Sequence, residues 1–324
     1  MTEQQNKHLV TIGKEYDKIK LDKFLADMYN VSFSLVRKMA RKGQIRLNSS
    51  RIKGNETLKV GDMVKIPGLF LHTQEEMLEA NAQAKPLFTA KQIKDAKTWI
   101  MYEDDDVIVI NKPAGITVQA GTGQEKSIDR LFAEVYPENH PKLVHRLDKE
   151  TSGCLVLAKN KSVAKDLSYQ FSKRHTHKRY LTIVKGNLQD PQGEIDFNVE
   201  KVFTAHNREQ MKVHVSRGKE AKTFYKRLAR NKDFHLLEVE IETGRTHQIR
   251  VHMKAIGTPI LGDGKYNDHS QNSLPNGKKV KMCLHSRDIE FKHPNKNRMM
   301  KFTAPVNSKM LEAMLALGFD TNKI

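Results

Sequence analysis

Between Trp99 and the C-terminus, short apolar runs of strand length alternate with amphipathic stretches of helix length, and no other feature limits the fold as strongly. The strand-like runs are Val107 to Ile110, Gly153 to Ala158, Tyr180 to Val184 and Leu236 to Ile241. Helical spacing marks Ser162 to Lys173 and Val306 to Leu317. Interleaved patterns of this kind predict a domain built from both helices and strands. The chain shows no internal repeat and no low-complexity tract.

Charge is the second constraint. The 324 residues carry 56 Lys and Arg against 38 Asp and Glu, a formal charge of +18. A protein this basic usually meets a polyanion, and nucleic acid is the first candidate, ahead of an anionic membrane surface. No stretch approaches the length of a membrane span, and Met1 to Lys7 is polar without an apolar signal core. Cys154 and Cys283 both sit in apolar surroundings, which predicts buried thiols in a reducing cytoplasm and neither a disulfide framework nor a Cys-based zinc site. The length allows two or three domains.

Residues 16–70 form a small basic unit after a lead-in over 1–15. Leu21, Phe24, Leu25 and Met28 repeat at helical spacing. A second helix starts at Ser32 or Ser34 and stops at Gly43. Gln44 to Asn48 alternates as a strand, Ser49-Ser50 turns, and Gly61-Asp62 leads into a strand from Met63 to Ile66. No acidic residue lies between Asp27 and Glu56, whereas Arg37, Lys38, Arg41, Lys42, Arg46, Arg51 and Lys53 all do. A solvated helix face normally mixes both signs, so this patch fits a phosphate backbone better. Leu21 to Leu25, Ser34, Arg37, Gly43, Ile45, Asn48 and Gly61-Asp62 resemble an S4 RNA-binding domain, which implies RNA as a partner and says nothing of a reaction. Residues 71–97, rich in Ala, Glu and Gln with Pro86 near the middle, read as a linker with a short helix.

In the larger unit, 98–324, the polar turn Leu143 to Gly153 precedes the apolar run Cys154 to Ala158 and carries Asp148 two residues after Arg146. A carboxylate there can act as a nucleophile if something keeps it ionised and aimed. Alone, such an aspartate more often shapes a turn. Four other segments stand out: Asn111 to Gly115, a turn at a strand end; Lys178-Arg179-Tyr180, entering a strand; Gly244 to His252, turning into a helix that ends at Gly257; and Leu284-His285-Ser286 with Phe291 to Pro294. Taken singly, the first is a plain turn and Tyr180 a packing residue. His247 and His252 are five apart, off a shared helix face, and no zinc motif accompanies them, so no metal site is expected. Gly121-Thr122-Gly123 lacks the ending of a phosphate loop.

Taken together and in this order, these segments resemble the RluA-type pseudouridine synthases from about residue 99 to 305. The match rests on His145-Arg146-Leu147-Asp148 with Thr151-Ser152-Gly153, on Lys178-x-Tyr180, on Gly244 to Arg250, and on Asp263 with Tyr266. The S4-like unit ahead of them, the entry Ile100 to Asp105 and the turn Ala120 to Gly123 are most similar to the RluC group, which acts on large-subunit rRNA. Gln119 stands where that group usually has His. The resemblance implies an α+β fold: a small S4 domain followed by a catalytic domain with a mixed, largely antiparallel sheet flanked by helices. It also implies isomerisation of uridine to pseudouridine without a cofactor, since nothing is oxidised and no group is lost. Asp148 is then the reacting carboxylate, attacking C1′ or abstracting the C2′ proton. Arg250 holds it, because a planar guanidinium orients a carboxylate where a lysine does not. Tyr180 stacks on the uracil. Arg146 fills the space left by the extruded base, with His145, Thr151, His247 and Gln248 on the substrate side. Lys173, Arg174, Lys178 and Arg179 either hold flanking phosphates or form a solvated loop. The expected partner is 23S rRNA or a ribosomal assembly intermediate, met by a cytoplasmic monomer with no membrane contact. The alternatives are a tRNA or dual-specificity synthase, an S4-type assembly factor without catalysis, or a hydrolytic nucleosidase using a second carboxylate.

Overall fold

The structure, a computed structural model, describes residues 8–29, 31, 33–70, 87–120, 126–203, 209–267 and 272–321. The Met1 to Lys7 segment, Ser32, most of the linker, the Gly121-Thr122-Gly123 turn and the rest of the chain lie outside the described residues. Two compact units divide between Pro86 and Leu87.

The first unit pairs helix α1 (Leu21–Tyr29) with α2 (Phe33–Arg41) over a four-stranded sheet of β1 (Leu9–Thr11), β2 (Arg46–Leu47), β3 (Ser50–Arg51) and β4 (Met63–Lys65). Leu21, Phe24 and Leu25 face a core that includes Val36, Ala40, Ile45 and Val64. Met28 does not join it and is 47% exposed, whereas Tyr29, four residues beyond Leu25, packs against the core. Residues 9–11, expected in a lead-in, instead form β1 against β4. The turn falls on Asn48 and Ser49, both left-handed, so Ser50 already belongs to β3. Ser34 lies inside α2 and does not precede it.

The second unit begins at Leu87, eleven residues before the expected boundary at 98. Helix α3 (Ala90–Lys97) is opened by a capping box in which Thr89 and Gln92 satisfy each other's backbone amides. Phe88 and Ala96 are buried in the main core, which removes residues 87–97 from the linker. The chain then runs through β5 (Ile100–Glu103), β6 (Val107–Lys112), α4 (Ile128–Val135), β7 (Lys142–Leu143), β8 (Ser152–Ala158), α5 (Lys161–Ser172) and β9 (His177–Lys185). Next come β10 (Gln192–Asp196), β11 (Asn198–Phe203), β12 (Glu209–His214), β13 (Lys222–Asn231), β14 (Phe234–Ile241) and α6 (Gln248–Ala255). It closes with β15 (Leu284–Lys292), β16 (Met299–Thr303) and α7 (Ser308–Ala316).

Eight strands follow the order β10-β13-β14-β9-β15-β8-β6-β5, with β16 paired to β15 and β7 to β8. The pair β15–β8 is parallel. The other ladders of this sheet are antiparallel. This is the mixed, largely antiparallel sheet with flanking helices. Strands β6 and β8 read as apolar runs because both of their faces are covered. Ile108, Ile110, Leu155 and Leu157 enter one core, shared with α4 and α6, while Val107, Val109, Val156 and Ala158 enter another with α5. Strands β11 and β12 form a separate hairpin. Cys154 and Cys283 are buried free thiols.

Candidate active site

Asp148 sits in the loop between β7 and β8. The Thr151 amide donates to the Asp148 carbonyl at 3.1 Å, closing a turn just before β8 begins. Lys112, the last residue of β6, is fully buried, and its ammonium donates to the carbonyls of Pro113 (2.9 Å), Ile116 (3.0 Å) and Lys149 (3.2 Å). The Gly115 amide adds a bond of 2.8 Å to the Lys149 carbonyl. The Asn111–Gly115 turn and the Asp148 loop are thus tied to one cation. Gly153 follows with φ of 108°, and a Cβ there would lie 2.1 Å from the Ser286 carbonyl oxygen. Only glycine lets β8 and β15 approach so closely beneath the loop.

Arg250, on the first turn of α6, is 7% exposed. Its Nε and Nη2 fork onto the Asp263 carboxylate at 2.8 and 2.7 Å. Its Nη1 donates to Asp148 Oδ2 at 3.2 Å. The Tyr266 ring lies under the guanidinium, 4.9 Å from its carbon to the ring centre. Asp263 is 1% exposed, so the arginine is aimed by a buried anion behind it. Asp148 Oδ2 also faces His247 Nε2 at 3.7 Å. Asp148 Oδ1 has no hydrogen bond among the described residues, and Asp148 lines a cavity.

His247 starts α6 in the left-handed conformation, φ 56°, which swings its ring back toward Asp148. Its Nδ1 is 2.6 Å from the Tyr266 hydroxyl, which accepts from the Met211 amide of β12 at 3.2 Å. Burial pushes the His247 imidazole down to about 4, with Asp148 opposing the shift and Arg250 adding to it. The ring is neutral at ordinary pH. Tyr180 on β9 is 7% exposed and hydrogen-bonded to the Ser286 side chain. Burial raises its phenol well above the usual range, so it stays protonated. A cavity of about 990 Å³ is lined by Arg146, Asp148, His247, Arg250 and Lys265, among others. Beside it a recess of about 80 Å³ is walled by Asp148, Thr151, Tyr180, Ile241 and Leu284.

The structure therefore brings together Arg146, Asp148, Thr151, Tyr180, His247 and Arg250. Two expected substrate contacts are engaged elsewhere. His145 Nε2 accepts from the Val156 amide at 2.9 Å and its ring stacks on Phe171, with burial pushing it down to about 3. Gln248 accepts from Thr243 Oγ1 and the Arg245 amide and donates to the Lys222 carbonyl and Thr223 Oγ1, pinning the loop before α6. Glu150, a carboxylate two residues after Asp148, also lines the large cavity, because the strand does not begin until Ser152. Gln119 is exposed.

Of the basic residues near Tyr180, Arg179 lies on the opposite face of β9, toward Asp288 (3.5 Å), Glu238 (3.8 Å) and Glu290 (4.0 Å). Arg174 pairs with Glu220 at 3.0 Å, and Lys173 is exposed over the Tyr169 ring. Lys178 is buried in β9, not in a solvated loop. In the first unit Arg37 is fixed by the buried Asp22, its Nε 2.7 Å from the carboxylate. Lys38, Arg41, Lys42 and Arg51 are exposed and Arg46 half-buried. Lys112 escaped sequence reasoning altogether. Asp263 and Tyr266 were visible only through the family resemblance. Among the described residues, one set could ligate a metal by spacing: Asp104, Asp106 and His293. Asp104 is already taken by Lys296 (2.6 Å), Tyr102 and two backbone amides.

A small helix-pair unit with exposed basic residues ahead of a mixed-sheet domain, with an arginine-held aspartate facing a cavity of mixed charge, fits an enzyme acting on a nucleic acid. The S4 domain profile matches residues 19–64, and that of RNA pseudouridylate synthase matches residues 106–255. The chain is 30% identical over 312 residues to ribosomal large subunit pseudouridine synthase C of Vibrio parahaemolyticus, covering 95% of this chain and 96% of the relative. It is 33% identical to the protein of that name from Yersinia pestis (95% of each chain) and 33% identical to the RNA pseudouridine synthase YlyB of Bacillus subtilis (94% and 95%). Among solved structures, human RNA pseudouridylate synthase domain containing 4 superposes with a TM-score of 0.59 at 25% identity, over 71% of this chain and 96% of that one. The chain belongs to the RNA pseudouridylate synthase family. It is an RNA pseudouridine synthase, and RNA is its substrate.

Proposed function

We propose that this enzyme converts uridines of large-subunit (23S) rRNA to pseudouridine, with Asp148 as the reacting carboxylate. The observation that carries the assignment is the asymmetry of that carboxylate: Arg250 bonds Oδ2, Oδ1 has no hydrogen bond among the described residues, and Asp148 lines the recess it shares with Tyr180. The relatives named for the large ribosomal subunit, matched over nearly the whole of both chains, support the choice of rRNA.

Isomerisation breaks N1–C1′, turns the uracil and forms C5–C1′; C5 gives up its hydrogen as a proton and N1 gains one. The ionised Oδ1 either bonds C1′ or takes the C2′ proton, and both roles need the same open oxygen. Arg250 sets a guanidinium donor 3.2 Å from Oδ2 and fixes how the carboxylate is presented. The protonated Tyr180 offers a ring face to the uracil. Arg146 lines the cavity, its recess and the neighbouring cleft, a position from which it can fill the gap left by an extruded base. Thr151 and His247 flank the sugar. Lys38, Arg41, Lys42, Arg46 and Arg51 of the S4 unit contact phosphates. No helix among the described residues is long and apolar enough to cross a membrane, compatible with a cytoplasmic enzyme, which we take to act as a monomer.

The test is pseudouridine mapping of rRNA and tRNA from cells lacking the gene, complemented with wild type or Asp148→Asn. Loss of defined 23S sites, restored only by wild type, is the expected result. Loss of tRNA sites instead makes the substrate tRNA. In vitro, Asp148→Asn lowers turnover more than roughly a hundred-fold with RNA affinity retained; wild-type turnover in that variant refutes the assignment.

A further inference from the structure

Two lysines of the catalytic unit are more than nine-tenths buried, and their ammonium groups have opposite surroundings. Lys112 has three carbonyl acceptors. Lys178, 7% exposed, has neither a hydrogen bond nor an ion pair among the described residues; it stands 6.0 Å from the centre of the Phe171 ring. Burial holds it below the usual lysine range. A buried cation without an acceptor is unfavourable, and an anionic ligand placed beside it offsets that cost.

The space next to it suits such a ligand. Lys178 lines a cleft of about 390 Å³ together with His145, Arg146, Ser168, Arg174 and Arg245. One carboxylate, Glu242, is on its wall, and it lies 3.9 Å from Arg174. His145 is neutral and already bonded to the backbone of β8. Arg146 also lines the Asp148 cavity, and Tyr180 also lines the small recess, so the cleft adjoins the reaction site. Lys178 and Tyr180 are two residues apart on one face of β9, roughly 7 Å along the strand. A phosphodiester of the nucleotide whose base meets Tyr180, or of its neighbour, falls within that reach.

We propose that this cleft is a phosphate subsite for the RNA strand next to the target uridine, with Lys178 as its buried contact and Arg174 and Arg245 at its rim. The inference rests on the uridine-isomerase reading of the adjoining site. A compact ammonium suits one non-bridging oxygen and places that phosphate, which fixes how the neighbouring nucleotide enters.

The test uses the full-length protein and the shortest rRNA fragment that wild type binds, in its natural form and with single methylphosphonate linkages placed around the target. Lys178→Met weakens binding about ten-fold, the scale of one charge-assisted hydrogen bond. Its melting temperature in the absence of RNA stays equal or rises, because an unpaired buried charge is gone. One methylphosphonate weakens wild type about ten-fold and Lys178→Met less than about two-fold, as expected for a shared contact. A variant that melts lower or fails to fold makes Lys178 structural and overturns the proposal. So does a methylphosphonate penalty of equal size in both proteins. Binding tests Lys178 and turnover tests Asp148, so either assignment can fail alone.

Discussion

Replacing Arg250 by lysine keeps the positive charge and removes the planar fork, which makes it the sharpest test of how Asp148 is held. The guanidinium makes three charge-assisted bonds, two to Asp263 at 2.8 and 2.7 Å and one to Asp148 at 3.2 Å. An ammonium has one centre and cannot reproduce both a bidentate pair and a third bond in a different direction. Asp263 is the more deeply buried carboxylate, so the lysine stays with it and Asp148 loses its partner. One such bond is worth about 1.5–3 kcal/mol. If it acts in the transition state, turnover falls roughly 10- to 150-fold. RNA affinity changes by less than about three-fold, because the guanidinium is nearly sealed from the RNA-facing surface. The assay is tritium release from RNA carrying [5-³H]uridine, since C5 must shed its hydrogen, run beside filter binding of the same RNA. Turnover within about three-fold of wild type would refute the holding role; a loss confined to affinity would make Arg250 an RNA contact.

Other expectations follow from the same geometry. Gly153→Ala places a Cβ against the Ser286 carbonyl at positive φ and destabilises by about 3 kcal/mol or more in urea unfolding; a smaller loss means that β8 and β15 separate easily. His247 is charged in the unfolded chain below about 6.5 but in the folded chain only below about 4, so its neutral ring favours folding at high pH and that advantage is lost as pH falls through this window. His247→Gln is therefore expected to remove up to about 3 kcal/mol of acid sensitivity between pH 6.5 and 4, and an unchanged slope argues against a neutral ring. Neutralising Arg41 and Arg46 together lowers the slope of log affinity against log salt by about 1.5, and an unchanged slope shows a merely solvated face. Lys112→Met strands three carbonyls and loosens the Asp148 loop, lowering turnover and stability together; an active, equally stable variant removes Lys112 from the site.

The sequence made the Asp148 loop legible because a polar turn meets seven consecutive buried residues from Ser152 to Ala158. The alternation of β9 also separates Lys178 and Tyr180 from Arg179, although the four basic residues there looked like one cluster. Helix α3 was readable from Thr89 and Gln92 at capping-box spacing, a signal masked by the linker-like composition around it. Lys112 was not readable. A lysine before proline in a turn looks exposed, and only the carbonyls of a loop 37 residues away reveal its burial. The link from Arg250 to Asp263 likewise depends on how α6 meets the following loop, which no local pattern encodes.

The position of β15 has a consequence for how the enzyme comes into being. Tyr180 is on β9, and His247 and Arg250 are at the start of α6, which follows β14; Lys112 ends β6, and Asp148 is in the loop that enters β8. Among the described strands, β15 joins the two, pairing His285 with Ser152 on one side and with Leu181 on the other. The pairing that unites them spans 133 positions from Ser152 to His285, a contact of the long-range kind that closes slowly in folding. The alignment of Asp148 with Arg250 therefore depends on a strand that lies far along the chain from both strands it joins.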